Sequence, residues 1–173
     1  MANRFQESNE KVFRGMRNVG VDFLVYVPCS ILSVAIELAK DSSNIRGVLA
    51  TREEEAVGIA VGAYLGGKKP CIILQSSGLG NSVNALTSLA ITYKVPLLLL
   101  VAHRGVGSER VEAHKPMGRS LAKILRALGI PFFVPYSSEK IVENVVDAFD
   151  CSQRLKVPAA VLFNAELTGW IQK

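Results

Sequence analysis

Cysteine is scarce in this sequence. The chain has three in 173 residues, Cys29, Cys71 and Cys151, and they lie far apart. A scattered, odd-numbered set excludes a disulfide framework, and no metal-ligand spacing is present, so they read as buried thiols. Long hydrophobic runs are lacking too. The longest, Val95 to Ala102, is too short to cross a bilayer. The opening MANRFQESNEK is polar and carries no apolar leader. There is no Walker motif. Gly78-x-Gly80 lacks a third glycine and opens the third strand–helix unit, so it makes a poor dinucleotide fingerprint. The net charge is +5, but no basic stripe alternates with aromatics, which argues against nucleic acid. These absences point to a cytoplasmic protein that binds neither membrane nor nucleic acid.

What is present is a globular composition, 49% hydrophobic and 20% charged, at a length suited to one domain spanning residues 1–173. β-Branched apolar runs predict strands at Asp22–Val27, Arg46–Ala50, Cys71–Gln75, Pro96–Ala102, Pro131–Pro135 and Pro158–Phe163. Helical periods fall at Gln6–Val19, Ile31–Lys40, Arg52–Leu65, Val83–Tyr93, Met117–Leu128 and Glu139–Leu155. Six strand–helix alternations imply an α/β fold, a single three-layer α/β/α domain with a six-stranded parallel sheet. Residues 166–173 read as a tail. In such sheets ligands bind beyond the carboxyl ends of the strands. That selects Pro28-Cys29-Ser30, Thr51-Arg52-Glu53, Gln75 to Asn81, His103-Arg104-Gly105 and Tyr136-Ser137.

Three carboxylates stand at one of those ends, in TREEEAVGIAVGAY. Thr51 and Glu54 match a capping box, and the helix dipole favours acidic residues in the first turn. That accounts for Glu54 and for Glu55, with Glu55 facing outward or toward a subunit contact. Glu53 shares a helical face with Val57, Ala60 and Tyr64. The run from Ala56 to Leu65 has no charge on any face, which predicts a helix buried all round. Gly58 and Gly62 each cost about 1 kcal/mol in a helix interior, so something should approach closely there. A carboxylate at the rim of such a surface needs a partner or a proton, in a site or in a structural network.

These residues resemble the thiamine-diphosphate-dependent decarboxylases. Glu53 precedes Gly62 by the nine residues that separate the family's pyrimidine-binding glutamate from a glycine, although the tyrosine stands one place late in Gly62-Ala63-Tyr64. Ser77-Gly78-Leu79-Gly80-Asn81 resembles the family loop that borders the aminopyrimidine, and Pro28-Cys29-Ser30 resembles a substrate-side turn. The resemblance implies a thiamine-diphosphate-binding fold, of which this chain is the pyrimidine-binding half. It implies that Glu53 is catalytic and binds the cofactor by sharing a proton with the pyrimidine N1′, which activates thiazolium C2. The family's Gly-Asp-Gly metal clamp is missing from the chain. Mg2+ and the diphosphate are therefore expected from a pyrophosphate-binding beta subunit, with the cofactor shared across the interface and self-association of this chain expected as well.

The stretch HRGVGSERVEAHKPMGRS holds both histidines and a concentration of basic residues offset by Glu109 and Glu112. It reads either as a solvated surface loop or as a cradle for a dianionic substrate. Ser30, Arg104 and Lys115 are the candidate substrate-binding residues. By the resemblance, His114 is the candidate proton donor after CO2 leaves. The expected activity is decarboxylation of a small anionic 2-oxo acid, with 3-sulfopyruvate first and phosphonopyruvate second. Half of another split thiamine enzyme, and a non-catalytic ligand-binding α/β domain, remain as alternatives.

Overall fold

A computed structural model describes residues 2–170. Six parallel strands form one sheet in the order β2-β1-β3-β4-β6-β5. They are β1 (Phe23–Tyr26), β2 (Arg46–Leu49), β3 (Pro70–Gln75), β4 (Leu98–Ala102), β5 (Phe132–Phe133) and β6 (Ala159–Phe163). The central strands β4 and β6 are buried along their whole length and β3 up to its last residue, as expected of a parallel sheet covered on both faces. The edge strand β5 is shorter than the expected Pro131–Pro135. The bounding prolines have no N–H to donate to a ladder.

One face carries α1 (Ala2–Asn18), α2 (Ser33–Lys40) and α7 (Ile141–Leu155). There Val12, Met16, Leu32, Ile36 and Val145 meet Leu24, Ile73, Leu100 and Val161. The other face carries α3 (Glu53–Leu65), α4 (Ser76–Asn81), α5 (Val83–Ala85) and α6 (Lys115–Ala127). There Val57, Ala60, Leu79, Leu121 and Leu125 meet Val25, Ile72, Leu74 and Leu99. Alternate residues of each strand feed the two cores, as the two-residue strand period requires.

The expected helix over Val83–Tyr93 is divided. After α5 the chain widens into a π-helical segment, Leu86–Ile91. Hydroxyls occupy carbonyls that the widening releases. Thr87 Oγ1 donates to the Val83 and Asn84 carbonyls, and Thr92 Oγ1 donates to Thr87 O at 2.8 Å. The residues expected as a tail begin with a short helix, α8 (Ala165–Thr168), capped by the Asn164 side chain, which accepts from Leu167 N at 2.7 Å. Leu167 and Thr168 are buried. Residues 171–173 of that expected tail lie outside the described residues.

The placement of the turn after β1 depends on a residue far from it in sequence. Leu32, at the N-cap of α2, offers no side-chain cap. Buried Asn9 of α1 supplies one in trans: its Oδ1 accepts from Ala35 N at 3.1 Å, and its Nδ2 donates to Ile31 O at 3.2 Å and Phe5 O at 3.1 Å. Removing it strands two buried backbone groups. Asn9→Ala should therefore lower stability by about 2–3 kcal/mol, read from the urea midpoint at unchanged slope.

Candidate active site

Glu53 is the first residue of α3 and stands half-buried at the carboxyl end of β2. Its side chain fills the space beside Gly78, so that a Cβ on residue 78 would collide with Glu53 Cγ, Cδ and Oε1. Asn81 Nδ2 donates to Glu53 Oε2 at 3.3 Å. The segment expected as a loop is helical. The chain enters α4 directly from β3, which brings Gly78 and Asn81, three residues apart, onto the face toward Glu53.

The other residues expected around the cofactor divide between uses. Ser77 is exposed and Leu79 turns into the core. Gly80 packs against α6, where a Cβ would sit 3.2 Å from Met117 Sδ. Ser76 escaped notice in the sequence. Its buried hydroxyl donates to Ala102 O at 3.2 Å and Arg104 O at 3.0 Å, which stitches the start of α4 to the loop after β4.

The capping role expected of Glu54 falls to Glu55, which is exposed as expected. Helix α3 starts at Glu53, so Arg52 is the N-cap and Glu55 occupies the third helical position. The Glu55 carboxylate accepts from Thr51 N at 2.8 Å and from Arg52 N at 3.3 Å, which makes Glu55 the capping residue and not Glu54. Glu54 pairs with Arg52 Nε at 2.8 Å. Nor is α3 buried all round. Gly58, Gly62 and Leu65 lie on an open apolar face, and a Cβ at either glycine would meet nothing within 4 Å. No other part of the described chain covers that face.

The basic loop is a folded unit. Gly105 has φ +84 and Gly118 is buried, and a side chain at either would strike the backbone of the other's neighbourhood, at His114 or at Arg104. The loop therefore lies on the start of α6, which puts Arg104, Glu109 and His114 in one cluster. Arg104 is not a free fork. Its Nε and Nη2 donate to Glu109 Oε2 at 2.5 Å and Oε1 at 3.0 Å, while its Nη1 points to Ser30 Oγ at 3.5 Å. Trp170 stacks on its guanidinium at 4.7 Å. His114 Nδ1 lies 3.3 Å from Glu109 Oε2. Glu166 of α8 accepts from Ser108 N at 3.0 Å. Lys115 stands apart from this cluster, paired with Glu112 at 2.5 Å.

Burial decides the protonation of the neighbours. The Cys29 thiol, in the turn beside Ser30, is pushed up to about 11 by desolvation, so it stays neutral. His103 is lowered from its ordinary value by burial, against a bond to Gly118 O at 2.9 Å that acts the other way. Among the described residues, no group of three His, Cys, Asp or Glu side chains is placed to hold a metal ion.

The chain belongs to the family described as thiamine pyrophosphate enzyme, N-terminal TPP binding domain, whose model matches residues 7–124. The relatives narrow the family. The chain is 44% identical over 158 residues to the sulfopyruvate decarboxylase subunit alpha of Methanothermobacter thermautotrophicus, covering 91% of this chain and 96% of that one. It is 42% identical over 147 residues to a sulfopyruvate decarboxylase of Methanosarcina acetivorans, covering 83% of this chain but 38% of that longer one. In fold it is similar to the 2-oxoglutarate:ferredoxin oxidoreductase of Magnetococcus marinus, with a TM-score of 0.74 at 21% identity over 93% of this chain and 29% of that chain. The alpha-subunit designation implies a partner subunit.

Glu109 also ties the site to acid stability. Its side chain is 4% exposed. The Arg104 bonds, helped by the Val111 and Gly105 amides, hold its carboxyl well below the usual carboxylate range despite burial. A depressed folded-state value stabilises the protein above the unfolded value, about 4.3 for a glutamate, and the effect is lost as pH falls through the folded value. Glu109→Gln should thus be less stable than the native chain at pH 7, with the gap narrowing toward pH 3. Urea unfolding at the two pH values measures this.

Proposed function

We propose that the chain is the alpha subunit of a thiamine-diphosphate-dependent sulfopyruvate decarboxylase, which converts 3-sulfopyruvate to sulfoacetaldehyde and CO2 in coenzyme M biosynthesis. Residues 1–173 act as one pyrimidine-binding domain. The observation that carries the reading is the Glu53 carboxylate seated in the space that Gly78 leaves open, with Asn81 donating to it. Similarity to alpha subunits along nearly their whole length supports the choice of substrate.

Bound thiamine diphosphate supplies a carbon nucleophile and an electron sink for the carbon that loses CO2. Glu53 would hold a proton at the pyrimidine N1′, and its half-buried setting would strengthen that hydrogen bond. Asn81 orients the carboxylate. Ser77 to Gly80 would border the ring, where Gly78 leaves room for the Glu53 carboxylate, Gly80 packs against Met117 and Leu79 anchors the segment in the core. Ser30 Oγ and the Nη1 edge of Arg104 bind the sulfonate, and Lys115 adds a cation at the loop's outer side. His114 returns a proton to the carbon that has lost CO2.

The diphosphate and its Mg2+ belong to a pyrophosphate-binding beta subunit. A hard cation wants several oxygen ligands together, and the acidic residues at the strand ends here have other partners. The relative in which the matching segment is a fraction of one longer chain supports a two-part enzyme. The open Gly58–Gly62–Leu65 face of α3 suits the partner or a second copy of this chain, because small residues allow close backbone approach. The free thiols suit a reducing cytoplasm. Among the described residues, no helix is long and apolar enough to cross a membrane.

The test is decarboxylation by the chain co-expressed with its candidate partner. The assembled pair should release CO2 from 3-sulfopyruvate only with thiamine diphosphate and Mg2+ present, and the lone chain should release none. Turnover by the lone chain would overturn the shared site. A pair that prefers phosphonopyruvate would overturn the substrate.

A further inference from the structure

One buried carboxylate touches both groups that the proposed chemistry needs, and none of the roles above uses it. Glu109 accepts from Arg104 through both oxygens, and the same Oε2 faces His114 Nδ1. Its remaining bonds, from Gly105 N at 3.3 Å and Val111 N at 3.0 Å, fix the carboxylate itself in the loop. We propose that Glu109 is the positioning residue of this site, holding the Arg104 guanidinium beside Ser30 and setting its charge 3.3 Å from His114 Nδ1. The inference rests on the function proposed above.

The geometry has a consequence for anion binding. Glu109 takes the Nε hydrogen and one Nη2 hydrogen and Trp170 covers one face, so Arg104 keeps its two Nη1 hydrogens and one on Nη2 for an anion, beside Ser30 Oγ. The Nε/Nη2 side of the guanidinium is closed, and the end-on Nη1/Nη2 pair stays open. A tetrahedral oxyanion can use that pair together with the Ser30 hydroxyl, N–H and O–H donors from two residues. His114 Nδ1 is buried and makes no hydrogen bond, so the Glu109 carboxylate acts on it through its charge at 3.3 Å.

A merely structural Glu109 and a positioning one separate in a double-mutant cycle. In the assembled pair with 3-sulfopyruvate, Glu109→Gln should raise KM about tenfold or more and lower kcat by a similar factor, since misplaced groups lose orientation. In an Arg104→Ala background, Glu109→Gln should leave KM where it is, because nothing remains to be positioned, while kcat still falls. The same KM rise in both backgrounds, or no change in either, overturns the proposal. A second readout needs no turnover. The chain has two histidines, and His103 Nε2 donates to Gly118 O, so His103 serves as an internal reference. Imidazole 15N spectra of the histidine-labelled chain in the complex should show the His114 Nδ1 signal shifting in Glu109→Gln, where the neighbouring charge is gone, with His103 fixed. An unmoved His114 signal overturns the proposal. An inactive native pair with that shift intact removes the proposed substrate and leaves the clamp standing. Should Glu109→Gln not fold, Glu109→Asp keeps the charge with a shorter reach and is subject to the same two readouts.

Discussion

The side chain of Glu53 and any side chain at position 78 would claim the same space. Only glycine at 78 lets the carboxylate lie over the first turn of α4, and the rest of the site follows from that contact. It requires α4 to start directly after β3, which brings Asn81 onto the same face. Leu79 then points into the core and Gly80 against Met117 of α6. Ser76, at the start of α4, holds the carbonyls of Ala102 and Arg104. One steric constraint thereby links the carboxylate at the end of β2 to the basic loop after β4.

Much of this was legible in the sequence because it depends on period and spacing. Parallel strands buried on both faces announce themselves as apolar runs, and all six were found in order. The face that Glu53 shares with Val57 and Ala60 follows from helical geometry, and both residues are buried. The errors have local causes. Moving the N-cap from Thr51 to Arg52 passes the capping role from Glu54 to Glu55, and a one-residue shift lies within the ordinary uncertainty of helix ends. The apolar helix α3 reads as buried in sequence because hydropathy does not say which chain does the burying. Its open face marks where this chain stops covering itself.

The basic loop was the least legible part. Its positive charge suggested free arginines, yet the folded loop spends the Arg104 fork on a glutamate five residues away. That pairing depends on a turn at Gly105 with positive φ and on close approach to Gly118, and neither is visible as periodicity. Trp170 carried a signal that went unused. The chain's single tryptophan is a large surface that gains by docking, and here it covers Arg104. The loop and Trp170 together enclose Arg104, whose charge Glu109 balances and whose Nη1 side faces Ser30.

The central claim is that Glu53 acts on the cofactor and does more than begin a helix. Deuterium exchange at C2 of thiamine diphosphate bound to the assembled pair, followed by NMR, tests it most directly. Glu53→Gln should fold and bind cofactor yet exchange more slowly by about two orders of magnitude or more. Glu55→Gln, which keeps an acceptor for the helix cap, should exchange at the native rate. Native exchange in Glu53→Gln would contradict the account.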